Sequence, residues 1–181
     1  MKTLVLGMGN TILSDDAIGI IIVRYLKKLL NGFCDIEFEE TSWGGFRIID
    51  LLRGYDYAII IDSIKTENES VGYIHHLTPN DLLPTLRLNS YHDINFITAI
   101  KLAETLNERM PADIDIFAVE VDDNRTIREH LSSEIRKSVN ECSKKVIELL
   151  KYKKILRDDY AIFVNNIEIE EELISLYNEE I

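Results

Sequence analysis

The stretch that most limits what this chain can become is residues 7–19, Gly-Met-Gly-Asn-Thr-Ile-Leu-Ser-Asp-Asp-Ala-Ile-Gly. It follows an apolar run at residues 4–6 that is too short for a helix and suits a buried strand. It leads into Ile20-Ile21-Ile22-Val23-Arg24-Tyr25-Leu26, an apolar segment of helix length. Gly7 and Gly9 permit backbone angles that a β-carbon forbids, so the chain can turn sharply off the strand. Ser14 is suited to cap the following helix, and Asp15 and Asp16 fall in its first turn, where the helix dipole favours negative charge. Two carboxylates are therefore expected at the carboxyl end of the first strand, where open α/β sheets place their sites. A dinucleotide-binding loop is the competing reading. That fingerprint needs a third glycine where this chain has Ile12, and two acidic residues at the helix start repel a pyrophosphate seated there. The loop suits something cationic.

The remaining periodicities extend this start into a sheet. The first helix is expected over residues 16–30, stopped by Asn31-Gly32. Residues 35–41 alternate in part and read as a second strand nearer the sheet edge, followed by a loop over 41–45 and a helical stretch over 46–53. Residues 57–61 are continuously apolar, as expected of a central strand covered on both faces, and they end in Asp62. Residues 71–77 read as a fourth strand, too close behind the third for a helical crossover, so this pair is expected to be antiparallel. Within it His75 and His76 point to opposite faces and do not form a paired site. After Ser90-Tyr91-His92-Asp93 comes an amphipathic helix with Ile94, Ile97, Ile100, Leu102 and Leu106 on one face. A fifth strand covers 114–121. A long helix covers 126–150, starting near Thr126 or at Ser132-Ser133. Alternating strands and helices imply an α/β fold, a three-layer α/β/α sandwich around a mixed, mostly parallel five-stranded sheet.

Charge and cysteine usage narrow the class of function. The 181 residues amount to about one domain. The formal charge is −12, from 20 basic and 32 acidic residues. With no basic footprint, nucleic acid and anionic membrane surfaces are poor partners, whereas a cation or a basic peptide is attracted. Cys34 and Cys142 lie far apart, outside any metal-type spacing, and read as reduced thiols. Residues 1–4 run straight into the first strand without a signal peptide, and no apolar run approaches the length of a bilayer span, so a cytoplasmic protein is expected.

The pattern Gly-x-Gly-Asn-x-Ile-x-x-Asp-Asp-x-x-Gly resembles the N-terminal signature of the hydrogenase maturation proteases. These endopeptidases trim the C-terminus of the large subunit of nickel–iron hydrogenases. Gly7, Gly9, Asn10, Asp15, Asp16 and Gly19 carry the resemblance. It continues through Asp62 and Ser90-Tyr91-His92 to about residue 150, so that residues 1–150 form the family-like α/β domain. What it implies, residue by residue, is a metal-binding and catalytic cleft formed by Asp16, Asp62 and His92. The nickel is implied to arrive with the substrate, a hydrogenase large-subunit precursor that holds it through cysteine thiolates. The free enzyme is then expected to be metal-free.

Taken as residues, Asp16 follows the first strand, Asp62 ends the third, and His92 opens the helix after the fourth. Two carboxylates and an imidazole form a ligand set for a borderline divalent metal, with positions left open for substrate. Blander roles stay open: a cap for Asp62, first-turn charges for Asp15 and Asp16, a surface or capping position for His92. Asn10 and Trp43-Gly44-Gly45 are expected to line the cleft, although Trp43 can equally be a packing residue. Ser63 and Ser90 neighbour Asp62 and His92, but neither sits in a nucleophile elbow. No His-Glu-x-x-His zinc helix exists. A non-cleaving metal-sensing or chaperone module for hydrogenase assembly and a nucleotide-binding domain are the alternatives.

Residues 151–181 differ in character. Positions 158–181 carry eight acidic and no basic side chains, yet include Ile162, Phe163, Val164, Ile167, Leu173, Ile174, Leu176 and Tyr177. That is too apolar for a freely solvated segment, so an ordered appendage with a short helix is expected, with a role in pairing two copies of the chain as a homo-oligomer.

Overall fold

The computed structural model of the protein describes residues 1–30, 35–66, 68–82 and 91–156, without the side chains of 82, 91–95 and 97. Cys34, Ser90 and the appendage from residue 157 onward lie outside the described residues. The strands are β1 (Thr3–Met8), β2 (Ile36–Thr41), β3 (Tyr57–Ile64), β4 (Ile74–Leu77) and β5 (Asp113–Glu120). The helices are α1 (Ile18–Leu29), α2 (Arg47–Leu52), α3 (Pro79–Leu82), α4 (Tyr91–Thr105) and α5 (Ser133–Tyr152). A 3-10 turn, Ser14–Ala17, precedes α1.

The strands form one sheet in the order β2-β1-β3-β5-β4, parallel throughout except for the antiparallel β4. β1 and β3 lie inside the sheet and are buried over nearly their whole length, which is why their sequences are apolar without alternation. Side-chain alternation divides the core into two layers. Val5, Ile59, Ile61, Phe117 and Val119 pack on one face against Ile18, Ile21 and Ile22 of α1 and Ile135, Val139 and Val146 of α5. Leu4, Leu6, Ala58, Ile60 and Ile116 pack on the other against Ile48 and Leu52 of α2 and Phe96 of α4. The expected three-layer sandwich with a mixed, mostly parallel five-stranded sheet is the observed one. No helix among the described residues is long and apolar enough to cross a membrane.

Three local expectations need correction. β4 runs opposite to β3 but pairs with β5, which inserts between them, with Ile74 opposite Val119 and Leu77 opposite Ile116. Among the described side chains of α4, Phe96, Ala99 and Ala103 are buried and Ile100 is half-buried against the core, whereas Leu102 and Leu106 are exposed. The side chains of Ile94 and Ile97 lie outside the described residues, and the alanines allow the helix to lie close against Ile49 of α2. Ser14 does not cap a helix. Its φ is 35°, its buried hydroxyl has no hydrogen-bond partner among the described residues, and α1 begins four residues later.

Packing is close where α1 meets the sheet. A β-carbon on Gly19 would stand 2.3 Å from the carbonyl oxygens of both Met8 and Ile61. One on Gly7 would stand 2.5 Å from the Gly19 oxygen. Arg24, buried on α1, meets Glu40 of β2 through Nη2 at 2.8 Å and Nε at 2.9 Å, so its charge is paired where it is desolvated. At the far end of the sheet the Asp115 carboxylate accepts hydrogen bonds from the Tyr57 hydroxyl at 2.7 Å and pairs with His76 Nε2 at 2.6 Å. The Lys153 ammonium lies 3.5 Å from it. Burial on its own raises this carboxyl, but Tyr57, His76 and Lys153 together hold it below the ordinary carboxylate value.

Gly19→Ala is expected to lower the unfolding free energy by about 2–3 kcal/mol in urea denaturation, because backbone atoms must separate. Gly54→Ala, at a φ of +87° with open space around it, is expected to cost only about 1 kcal/mol. For Asp115 the depressed folded value means that its stabilisation is present above the unfolded carboxylate value of about 4 and fades as pH falls through the lower folded value. The difference in urea midpoint between the parent and Asp115→Asn should therefore be largest near neutrality and shrink below about pH 4.

Candidate active site

The loop between β1 and α1 folds back on itself and is then held by the segment between β5 and α5. Gly9 has a φ of +141°, and a β-carbon there would meet the Asp16 carbonyl oxygen at 1.9 Å, so only glycine lets this turn close. Asn10 Oδ1 accepts the Ile12 N–H at 3.1 Å, and the Asn10 carbonyl accepts the Leu13 N–H at 3.0 Å. The Ser14 N–H donates to the Arg128 carbonyl at 2.8 Å, Asp15 N–H to Asp123 at 3.3 Å, and Asp16 N–H to Leu13 at 2.9 Å. Five consecutive N–H groups, 12–16, are thus donated within the protein. A phosphate cradle needs such groups open, so the geometry disfavours the nucleotide-binding alternative.

The adjacent acidic residues part company. Asp15 is buried, and its Oδ1 accepts the N–H of Ser132, the N-cap residue of α5, at 2.6 Å. It ties the loop to the start of α5, where a negative charge is also favoured by the helix dipole. Asp123 stiffens the segment opposite. Its Oδ1 accepts the Arg125 and Thr126 N–H groups at 3.0 Å each, and hydrogen bonds from Thr126 and Arg125 draw its carboxyl down to about 2. Asp16 instead faces a small open cleft of about 80 Å³, lined also by Gly9, Asn10, Trp43 and Asp62.

The cleft lies at the carboxyl ends of β1, β2 and β3, where the chain order reverses across the sheet. β3 delivers Asp62, whose Oδ1 accepts the Ser63 N–H at 2.8 Å. The Ser63 hydroxyl donates to Asp16 Oδ1 at 2.9 Å. From the end of β2, Thr41 Oγ1 accepts the Trp43 N–H at 3.0 Å and shapes the rim. Trp43 is 63% exposed with the Arg47 guanidinium 5.4 Å from its ring centre, so it borders the cleft and is not a core residue.

His92 is the second residue of α4, and its side chain lies outside the described residues. Among the described residues no group of three or more His, Cys, Asp or Glu side chains gathers as a metal-holding set. Cys142 is buried in the core between α5 and the sheet, and burial pushes its thiol up to about 12, which leaves it inert near neutrality. His75 and His76 turn to opposite partners, Glu120 at 3.0 Å and Asp115 at 2.6 Å, and are not a paired site.

The hydrogenase maturation protease (HycI) family model matches residues 22–149. The chain belongs to the hydrogenase maturation protease family. The matched segment contains Asp62 and His92 and begins after Asp16. Against hydrogenase 2 maturation protease of Escherichia coli (strain K12) the chain is 32% identical over 74 residues, 40% of this chain and 44% of that relative, so the alignment spans less than half of either. The solved hydrogenase maturating endopeptidase HybD from E. coli superposes with a TM-score of 0.70 over 84% of this chain and 94% of its own, at 22% identity. The [NiFe] hydrogenase maturation protease HybD from Thermococcus kodakarensis gives 0.66 over 82% and 99%, at 24% identity. At such identities the structures establish a shared fold.

Asp15→Ala is expected to destabilise the domain by about 1–2 kcal/mol, because the Ser132 N–H loses its acceptor. Asp15→Asn retains an acceptor and should cost less. Urea denaturation of the two variants checks the order.

Proposed function

We propose that the protein is an endopeptidase that removes the C-terminal extension of a nickel–iron hydrogenase large-subunit precursor after nickel has been inserted. The observation that carries this reading is that Asp16 and Asp62, from separate segments, line one cleft at the carboxyl ends of β1 and β3. Membership of the maturation protease family supplies the reaction class. The nickel is part of the substrate. Asp16, Asp62 and His92 engage it, and carboxylates with a neutral imidazole suit a borderline divalent ion.

Engaging the metal fixes the precursor on the enzyme, which converts peptide cleavage into a reaction within one complex. The scissile segment then lies beside a cation, which can polarise a carbonyl or lower the pKa of a water. The chain's own contribution is to hold two anionic side chains on rigid strand and turn ends, away from the mobility of a long loop. The acidic protein surface further favours a substrate that presents positive charge at the cleft.

Incubation with nickel-loaded precursor, followed by intact mass of its C-terminus, tests the reading. The parent protein should release one defined peptide, and precursor lacking nickel should stay intact. Asp16→Ala and His92→Ala should each reduce the rate by at least about a hundredfold with thermal melting unchanged. Binding of the loaded precursor without any change in mass would instead identify a non-cleaving chaperone.

A further inference from the structure

Ser63 stands between the two carboxylates of the cleft and touches both. Strand alternation sends Asp62 towards the α2/α4 layer and Ser63 towards the α1/α5 layer, over which the 3-10 turn carries Asp16. The Ser63 hydroxyl donates to Asp16 Oδ1 at 2.9 Å, and its backbone N–H donates to Asp62 Oδ1 at 2.8 Å. The hydroxyl is the donor in this bond, so its proton points at Asp16. We propose that Ser63 is a positioning residue, which fixes the rotamer of Asp16 through its side chain while its backbone fixes Asp62.

This rests on the processing reaction proposed above. A short carboxylate can rotate about two bonds, and a ligand that must rotate into place loses part of what it gains on engaging a metal. Groups that hold such carboxylates by hydrogen bonds are worth a factor of about ten to a hundred in metal affinity or activity. Asp62 is held by a main-chain donor that any residue but proline supplies at position 63. Asp16 is held by a side-chain donor that only a hydroxyl at this place supplies. The two carboxylates are therefore separable by mutation at a third residue that is neither of them.

Ser63→Ala and Ser63→Thr, both β-compatible at a strand end, test the proposal by three measurements. In Ser63→Ala the processing rate on nickel-loaded precursor should fall about ten- to a hundredfold with an unchanged melting temperature. Ser63→Thr should restore it to within about threefold. The side-chain carboxyl carbon resonance of Asp16, assigned by comparison with Asp16→Asn, should move in Ser63→Ala and return in Ser63→Thr, while that of Asp62 stays. An unmoved Asp16 resonance, an undiminished rate in Ser63→Ala or a failed rescue by threonine each overturns the proposal. Labelling of Ser63 by a fluorophosphonate with total loss of activity in Ser63→Ala would make it a nucleophile, which also overturns it. Should the parent protein itself leave the precursor uncut, the processing reaction falls, and the carboxyl resonances still decide whether Ser63 holds Asp16.

Discussion

The contact of Gly19 with the carbonyl oxygens of Met8 and Ile61 sets the spacing on which the site depends. Two strands and a helix meet there with no side chain between them. The helix start is pressed onto the sheet, and the turn in front of it is carried over the ends of β1 and β3. Gly7 and Gly9 make the same close approach possible at the neighbouring positions. A methyl group at any of the three would force backbone atoms apart at this junction. Glycine in this loop serves packing first, and the backbone freedom that usually explains it is needed only at Gly9.

That packing lets two like charges share one cleft. Asp16 and Asp62 each accept a hydrogen bond from Ser63, which anchors both carboxylates to the end of β3. The result is a site of negative potential on an acidic protein, in a loop whose amide groups are turned inward. Such a place rejects anions and gains most from a cation, the inverse of a phosphate-binding loop built from a similar glycine pattern.

The central strands and α1 were legible because elements covered on two sides are written as unbroken apolar runs. Asp62 was legible as the residue after an apolar strand run, although β3 continues past it to Ile64, and Asp16 was legible as a residue after a glycine turn. Elsewhere the pattern misled for physical reasons. Alanines carry the close contact of α4, so counting large apolar residues picked Leu102 and Leu106, which are exposed. Ser14 sits in a capping position by sequence, but the chain there is already committed to a 3-10 turn. Asp15 looked like a second site carboxylate, and its partner Ser132 is too distant in sequence for any local rule to find. The link from Ser63 to Asp16 was hidden in the same way, since neighbouring residues on a strand face opposite layers.

The position of β5 between β3 and β4 has a consequence for how the chain becomes a sheet. β4 is synthesised before β5 and has no other strand to pair with among the described residues. It cannot zip onto β3 as a hairpin, because its register is defined only by Ile116 to Val119. Each end of β5 also depends on earlier segments: Glu120 receives Thr66 and His75, and Asp115 receives Tyr57 and His76. Ordering the second half of the sheet therefore waits for the strand made last, and loop closure must precede most of the reward. A chain still emerging from the ribosome would hold β4 as an unpaired edge until β5 arrives, so the interval between the two is when it is most exposed to pairing with a neighbour.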